Sequence, residues 1–163
     1  MTRQPSPSRS TYDRALSLLG FRARSVAELR RLLLTKGESA TEVEAVITRL
    51  LEQKLLNDAD FARQFARARL VGRGASRTRI VQELARKGVS RPLAVAAMDA
   101  LQEDDGLDPA AAAHRVAEKK WRSLSRLDDV TARRRLYAFL ARRGFNPDEI
   151  RSAMSALGAH TVS

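Results

Sequence analysis

The chain has 163 residues, 44% of them hydrophobic, and carries 30 Lys and Arg against 19 Asp and Glu, a formal net charge of +11. Cysteine is absent, which excludes disulfides, thiol chemistry and the thiolate sites of structural zinc. The length suits one compact domain or a few small modules, and the charge favours a polyanion or an acidic protein surface as partner.

The first ten residues, MTRQPSPSRS, have a charged start with no apolar stretch behind it. They read as a flexible tail over residues 1–10 rather than as a secretory signal. No apolar run approaches the roughly 20 residues that cross a bilayer, so a cytoplasmic protein without membrane contact is expected.

A helix is predicted at about 12–23, and Ser25 with Glu28 forms a capping box before the next. Val26, Leu29, Leu32 and Leu33 then line one stripe, and Gly37 supplies a left-handed stop behind Lys36. Ser39 with Glu42 opens a third helix, carrying Val43, Val46, Ile47, Leu50 and Leu51. A short joint, Gln53 to Asn57, leads into a helix at 58–73 with Phe61 and Phe65 one turn apart. Ser76 caps a helix carrying Ile80, Val81 and Leu84, which stops at Gly88. Ser90 opens the next, with Pro92 tolerated in its first turn. The joint from Gln102 to Leu107 is acidic and contains Gly106, so more freedom is expected there. Asp108-Pro109 opens a helix at 109–122, and a longer connection follows from Ser123 to Asp128. A further helix stops at Gly144, Asn146-Pro147 opens the last, and residues 158–163 read as a frayed tail.

These signals repeat. Gly37, Gly88 and Gly144 each follow a basic residue, at steps of 51 and 56 residues. Four positions before them stand Leu33, Leu84 and Leu140; eight before stand Leu29, Ile80 and Leu136. Ten positions after stand Ile47, Met98 and Met154, and thirteen after stand Leu50, Leu101 and Leu157. One supersecondary unit is used three times. The predicted fold is all-α: three tandem three-helix bundles in an elongated, curved array. The units are placed at 11–57, 58–105 and 106–158, with a tail at 159–163.

Catalytic chemistry finds little support. His114 and His160 have no partner at ligand spacing, so neither a metal site nor a cofactor is expected. The run Val71 to Ser76 lacks the spacing of a phosphate-binding loop. Asp58 and Asp60 stand at a helix start, where carboxylates cap free N–H groups. The chain is expected not to be an enzyme.

Charge placement is more informative. Between Phe61 and Arg91 lie Arg63, Arg67, Arg69, Arg73, Arg77, Arg79, Arg86, Lys87 and Arg91, opposed in that segment only by Glu83. Arg63 and Arg67 share a helix face with little acidic compensation, unlike a salt-bridged solvated face. A second basic concentration includes Lys119, Lys120, Arg122, Arg133, Arg134, Arg135, Arg142 and Arg143. Candidate contacts to DNA or an acidic partner are Arg63, Arg67, Arg73, Arg77, Arg79, Arg86, Lys87, Arg133 and Arg134. Trp121 is expected in the core, while Tyr137 suits either core or base stacking.

The segments SVAELRRLLLTKG, LLEQKLLNDADFARQFARARL, GRGASRTRIVQELARKG and RRRLYAFLARRGFNPDEI resemble the RecX family, bacterial regulators of the RecA recombinase. The likeness runs over residues 12–157, and the joint with LLND followed by FA is its most specific part. The resemblance implies tandem three-helix repeats that bind the RecA–DNA filament and lodge in its groove. It implies restraint of the recombinase and co-protease activities, in recombinational repair and the SOS response. A monomer is expected, with the filament as partner and DNA as a further direct one. The competing reading is a stand-alone helical DNA-binding protein with one recognition helix per unit. Against it, the second helix of each unit turns its periodic face to the core and offers no Asn/Gln cluster to read adenine.

Overall fold

The computed structural model of the protein describes residues 10–159. Of the expected tails only Ser10, Gly158 and Ala159 fall within that range, the last two as the end of a helix rather than a frayed tail; His160 lies outside it. Among the described residues there are nine helices and no strand. Unit 1 comprises α1 (Thr11–Phe21), α2 (Val26–Thr35) and α3 (Ala40–Glu52). Unit 2 comprises α4 (Asp58–Arg73), α5 (Arg77–Arg86) and α6 (Arg91–Glu103). Unit 3 comprises α7 (Pro109–Arg122), α8 (Asp129–Arg142) and α9 (Pro147–Ala159).

The start signals work as the sequence predicts. Ser25 and Glu28 form a complete capping box, and Ser39, Ser76, Ser90 and Asp108 each accept a first-turn N–H. Asn146 and Glu149 exchange hydrogen bonds in the same way before α9. One assignment is corrected. Asn57, not Asp58, caps α4. The Asp58 carboxylate instead accepts the Val26 N–H at 2.8 Å, so it caps α2 in the neighbouring unit.

Each unit closes on the repeated apolar positions. Leu29, Leu33, Ile47 and Leu50 are buried in unit 1; Ile80, Leu84, Met98 and Leu101 occupy the matching places in unit 2. Helices of 10–16 residues are marginal alone, so this packing holds them. Truncating one such side chain to Ala costs roughly 2–5 kcal/mol.

The core is divided unevenly. Unit 1 has its own cluster, whereas one continuous apolar cluster runs through units 2 and 3. The expected freedom of the joint from Gln102 to Leu107 is therefore corrected. Asp104 and Asp105 are tied to Arg63 and Arg67 of α4, the Leu107 N–H bonds back to the Leu101 carbonyl, and Ala112, Ala113 and Ala117 of α7 are buried in the shared cluster. The alanine-rich sequence of α7 permits this close seating.

The second helices of the units meet end to end. The α5 C-terminus abuts the α2 N-terminus: Ser25 Oγ donates to the Lys87 carbonyl, and Lys87 Nζ lies 2.7 Å from Glu28. The α8 C-terminus abuts the α5 N-terminus, where Arg79 donates to the Arg142 carbonyl at 3.0 Å. Arg143 also donates to the Arg73 carbonyl at the end of α4. The last carbonyls of a helix have no partner within it, so these side chains from the neighbouring unit satisfy groups that water would otherwise hold. The helix dipoles along this row, α8 to α5 to α2, run head to tail.

Glycine makes the approach possible. Gly37, Gly88 and Gly144 have φ of +89°, +79° and +88°. A Cβ on Gly88 would lie 2.2 Å from Ala27 Cβ, and one on Gly144 would lie 2.8 Å from Ser76 Oγ. Gly37 stands at the open end of the row, and a Cβ there would meet nothing within 4 Å. The left-handed conformation alone costs an L-residue roughly 1–2 kcal/mol. Gly88→Ala must also push the joint apart, at a further cost of about 1–3 kcal/mol. We predict that chemical denaturation finds Gly88→Ala clearly less stable than Gly37→Ala; equal losses would contradict the joint.

Glu28 is 7% exposed. Burial pushes its carboxyl up, but hydrogen bonds from Lys87 and Arg22, the Lys87 charge and the Ser25 N–H outweigh that and hold it below its ordinary value. A depressed carboxyl contributes stability above its unfolded pKa, about 4.3, and loses it as pH falls through the folded value. The thermal midpoint of the protein should therefore fall more steeply below about pH 4 than that of Glu28→Gln. Parallel curves would show that the carboxylate does not hold the joint.

Candidate polyanion-binding trough

Most of the charge on the middle helices is matched within the chain. Arg63 contacts Asp104 at 3.1 Å and Asp105 at 3.3 Å, and Arg67 contacts Asp105 at 3.0 Å. Hydrogen bonding to Asp105, more than to Asp104, raises the basicity of Arg63. The expectation of an acid-poor face at Arg63 and Arg67 is thus corrected: α6 brings its C-terminal aspartates to it. Arg77 pairs with Asp99 at 2.6 Å, and Arg133 pairs with Asp129 at 2.7 Å while its guanidinium approaches Trp121. Arg134 acts on Asp128, helping to hold that capping carboxyl low behind the larger effect of its hydrogen bonds to Thr131.

The remaining candidates gather elsewhere. Arg73 and Arg79 line a cleft of about 820 Å³ between units 2 and 3. Arg69, Arg115, Lys119, Lys120 and Arg143 share its walls, and Leu70, Val71, Ala75, Val116 and Phe139 supply apolar lining. Arg86 and Lys87 line a second hollow of about 500 Å³ at the joint of units 1 and 2, together with Arg31. The two hollows share Arg69 and Glu83. A third, of about 320 Å³, adds Arg135 and Arg142 and shares Lys120 and Phe139 with the first. The three adjoin through these shared walls, with the Arg69–Glu83 pair between the first two, and are together called the trough.

Twelve basic residues line this trough against two carboxylates, Glu28 and Glu83. Both carboxylates are already engaged. Glu28 holds Lys87 and Arg22, and Glu83 lies 2.8 Å from Arg69 and 3.1 Å from Arg79. The Arg69 Nε and Glu83 Oε2 contact is ionic rather than an aligned hydrogen bond, and both atoms are buried. Seven of the twelve side chains make no ion pair, hydrogen bond or aromatic contact among the described residues: Arg31, Arg73, Arg86, Arg115, Lys119, Arg135 and Arg142. A concave wall of one sign focuses its field on whatever enters.

Sequence reasoning placed Arg73, Arg79, Arg86 and Lys87 among the candidates, and the fold brings these four to the trough. It does not bring Arg63, Arg67, Arg77, Arg133 or Arg134 there. The fold also brings there Lys119, Lys120, Arg135, Arg142 and Arg143, which the sequence placed in the second basic concentration but not among the candidates, and Arg69 of the first basic run; Arg31 and Arg115 were in neither run. One signal pointed to two of these: Arg115 and Lys119 stand four apart on one helix face with no acidic residue at that spacing between them.

Among the described residues no group of three or more His, Asp and Glu could hold a metal ion, and no helix is long and apolar enough to cross a membrane. Trp121 is half-buried against the shared core, while Tyr137 is 43% exposed.

Charge reversal at Arg73, Arg115 and Lys119 removes no internal partner, whereas reversal at Arg63 and Arg67 sets four acidic groups together. We predict that the first leaves the thermal midpoint nearly unchanged. The second should lower it measurably, since it replaces the ion pairs to Asp104 and Asp105 with like-charge repulsion. Equal losses would mean that trough cations are also structural.

Comparison with known proteins agrees with this architecture unit by unit. Family models described as the first, second and third three-helix domains of RecX match residues 12–50, 57–98 and 108–154. The regulatory protein RecX of Pelodictyon phaeoclathratiforme is 39% identical over 157 residues, covering 96% of this chain and 93% of that protein. That of Amycolatopsis mediterranei is 36% identical over 143 residues, covering 85% and 80%. The crystal structure of RecX from Lactobacillus salivarius superposes with a TM-score of 0.79 at 21% identity, covering 91% of this chain and 95% of that one, a likeness of fold. Three matched domains in order, on three helical units with the same punctuation, make this chain a member of the RecX family of regulatory proteins.

Proposed function

We propose that the protein binds the RecA–DNA filament and restrains its recombinase and co-protease activities, and that the trough faces the filament. The family supplies the partner. The observation on this chain that carries the reading is the collection of partnerless cations in one trough spanning all three units. A filament of protein on DNA is a repeating polyanion with a helical groove. Three units joined end to end offer a matching run of contacts. The protein acts as a monomer in the cytoplasm, without a cofactor, and by binding rather than by catalysis.

The stand-alone DNA-reading alternative meets a steric obstacle. A recognition helix contacts base edges with its N-terminal residues. Here the α2 N-terminus is covered by Lys87 and Gly88, and that of α5 by Arg142 to Gly144. The α8 N-terminus is uncovered but carries Asp128 and Asp129, which repel phosphate.

Co-sedimentation at matched salt with RecA alone, DNA alone and the nucleotide-bound filament tests the proposal. The filament should retain the protein in preference to either component, and strand exchange should slow as it binds. Retention by DNA equal to that by the filament, with strand exchange unaffected, would overturn it.

A further inference from the structure

We propose that the cleft between units 2 and 3 binds a single, unpaired nucleic-acid strand directly. Its phosphates would lie on Arg73, Arg115 and Lys119, and a base against the Arg143–Phe139 stack. The inference deepens the filament reading by naming the component that the trough touches, and it is testable without RecA.

The cleft has two chemically different parts. Arg73 comes from the end of α4, while Arg115 and Lys119 come from α7, so partnerless cations stand on both units across the joint. Between them the accessible lining is apolar, from Val71, which is 60% exposed, and the partly buried Val116, set over the buried Leu70 and Ala75. Such a channel suits a ligand whose charge lies along one edge and whose other edge is flat and apolar. An unpaired strand has that character, with a charged backbone and bases free to stack.

The aromatic group strengthens this reading. Phe139 is half-buried, with the Arg143 guanidinium 4.7 Å and Lys120 Nζ 5.2 Å from its ring centre. Arg143 is further fixed by its hydrogen bond to the Arg73 carbonyl. A guanidinium held over a ring is a preorganised flat cation on which a base can stack. A duplex keeps its bases paired inside and would offer only outer phosphates, leaving the apolar lining facing water. An acidic peptide supplies charge without flat faces. Both ligands use the rim of the cleft and not its floor.

The test is fluorescence anisotropy with a labelled oligothymidylate of about 20 nucleotides, a duplex of the same length and a polyglutamate peptide, between about 50 and 200 mM salt. The strand should bind tighter than the duplex and the peptide. The Arg73→Glu, Arg115→Glu, Lys119→Glu variant should lose at least about tenfold in strand affinity, and its salt slope should fall by about 0.7 for each phosphate it no longer neutralises. Arg91→Glu with Arg126→Glu, partnerless cations outside the trough, should leave both nearly unchanged. Polyglutamate bound as tightly as the strand, or unchanged strand affinity in the triple variant, would overturn the inference. Filament co-sedimentation of the same variant separates the readings. Lost filament binding with intact strand affinity removes the strand site and leaves the filament proposal standing. Wild-type protein that binds the strand but not the filament does the reverse.

Discussion

The architecture depends on one contact made twice: the C-terminal end of a helix in one unit seated on the N-terminal end of its counterpart in the preceding unit. Helix ends expose unpaired N–H and C=O groups, and a chain of short helices has many such ends. Here Ser25, Arg79 and Arg143 donate to the carbonyls of Lys87, Arg142 and Arg73 from across a unit boundary. Asp58 performs the complementary service for the Val26 N–H. Backbone groups that would require water are thereby turned into attachments between units. A glycine with positive φ at each joint allows the backbones to come close enough for these bonds to form.

The same joints sort the charges. Where a basic side chain packs beside its own bundle, a carboxylate meets it: Asp104 and Asp105 for Arg63 and Arg67, and Asp99 for Arg77. Where two units meet, hollows open beside the helix row, and cations from different helices face them in excess of the two carboxylates there, Glu28 and Glu83. Unit 1 joins the row through polar and ionic contacts, while units 2 and 3 share a core. The larger hollow therefore lies between the two units most firmly held together. A cleft formed before its ligand arrives loses less entropy on binding than one that must be assembled.

Much of the fold was legible because its signals are local. A serine followed three residues later by glutamate starts a helix, a basic residue before glycine ends one, and the apolar positions between them repeat at helical spacing. All of these act within a turn or two of the chain. The site was less legible because pairing of charges is tertiary. Asp104 lies 41 positions from Arg63, and no periodicity relates them. The acidic joint read as a loose linker because its charges count as solvated until α4 is packed beside them. Arg73, Arg79, Arg86 and Lys87 were found because they lie in a dense basic run. Arg31 was hidden in the first unit, where Glu38, Glu42, Glu44 and Glu52 balance its cations, and Arg143 was read as part of a basic run with nothing to show which way it faces.

On this reading geometry at the joints, rather than net charge, makes the binding surface. Gly144→Val tests it most directly, because it retains every cation while forcing a branched side chain against Ser76 and Arg79. The measurement is filament affinity as a function of salt, with helix content followed by circular dichroism. The variant should stay helical, bind more weakly and show a shallower salt slope, since the cations of units 2 and 3 no longer converge. A helical variant with unchanged affinity and slope would show instead that charge alone suffices.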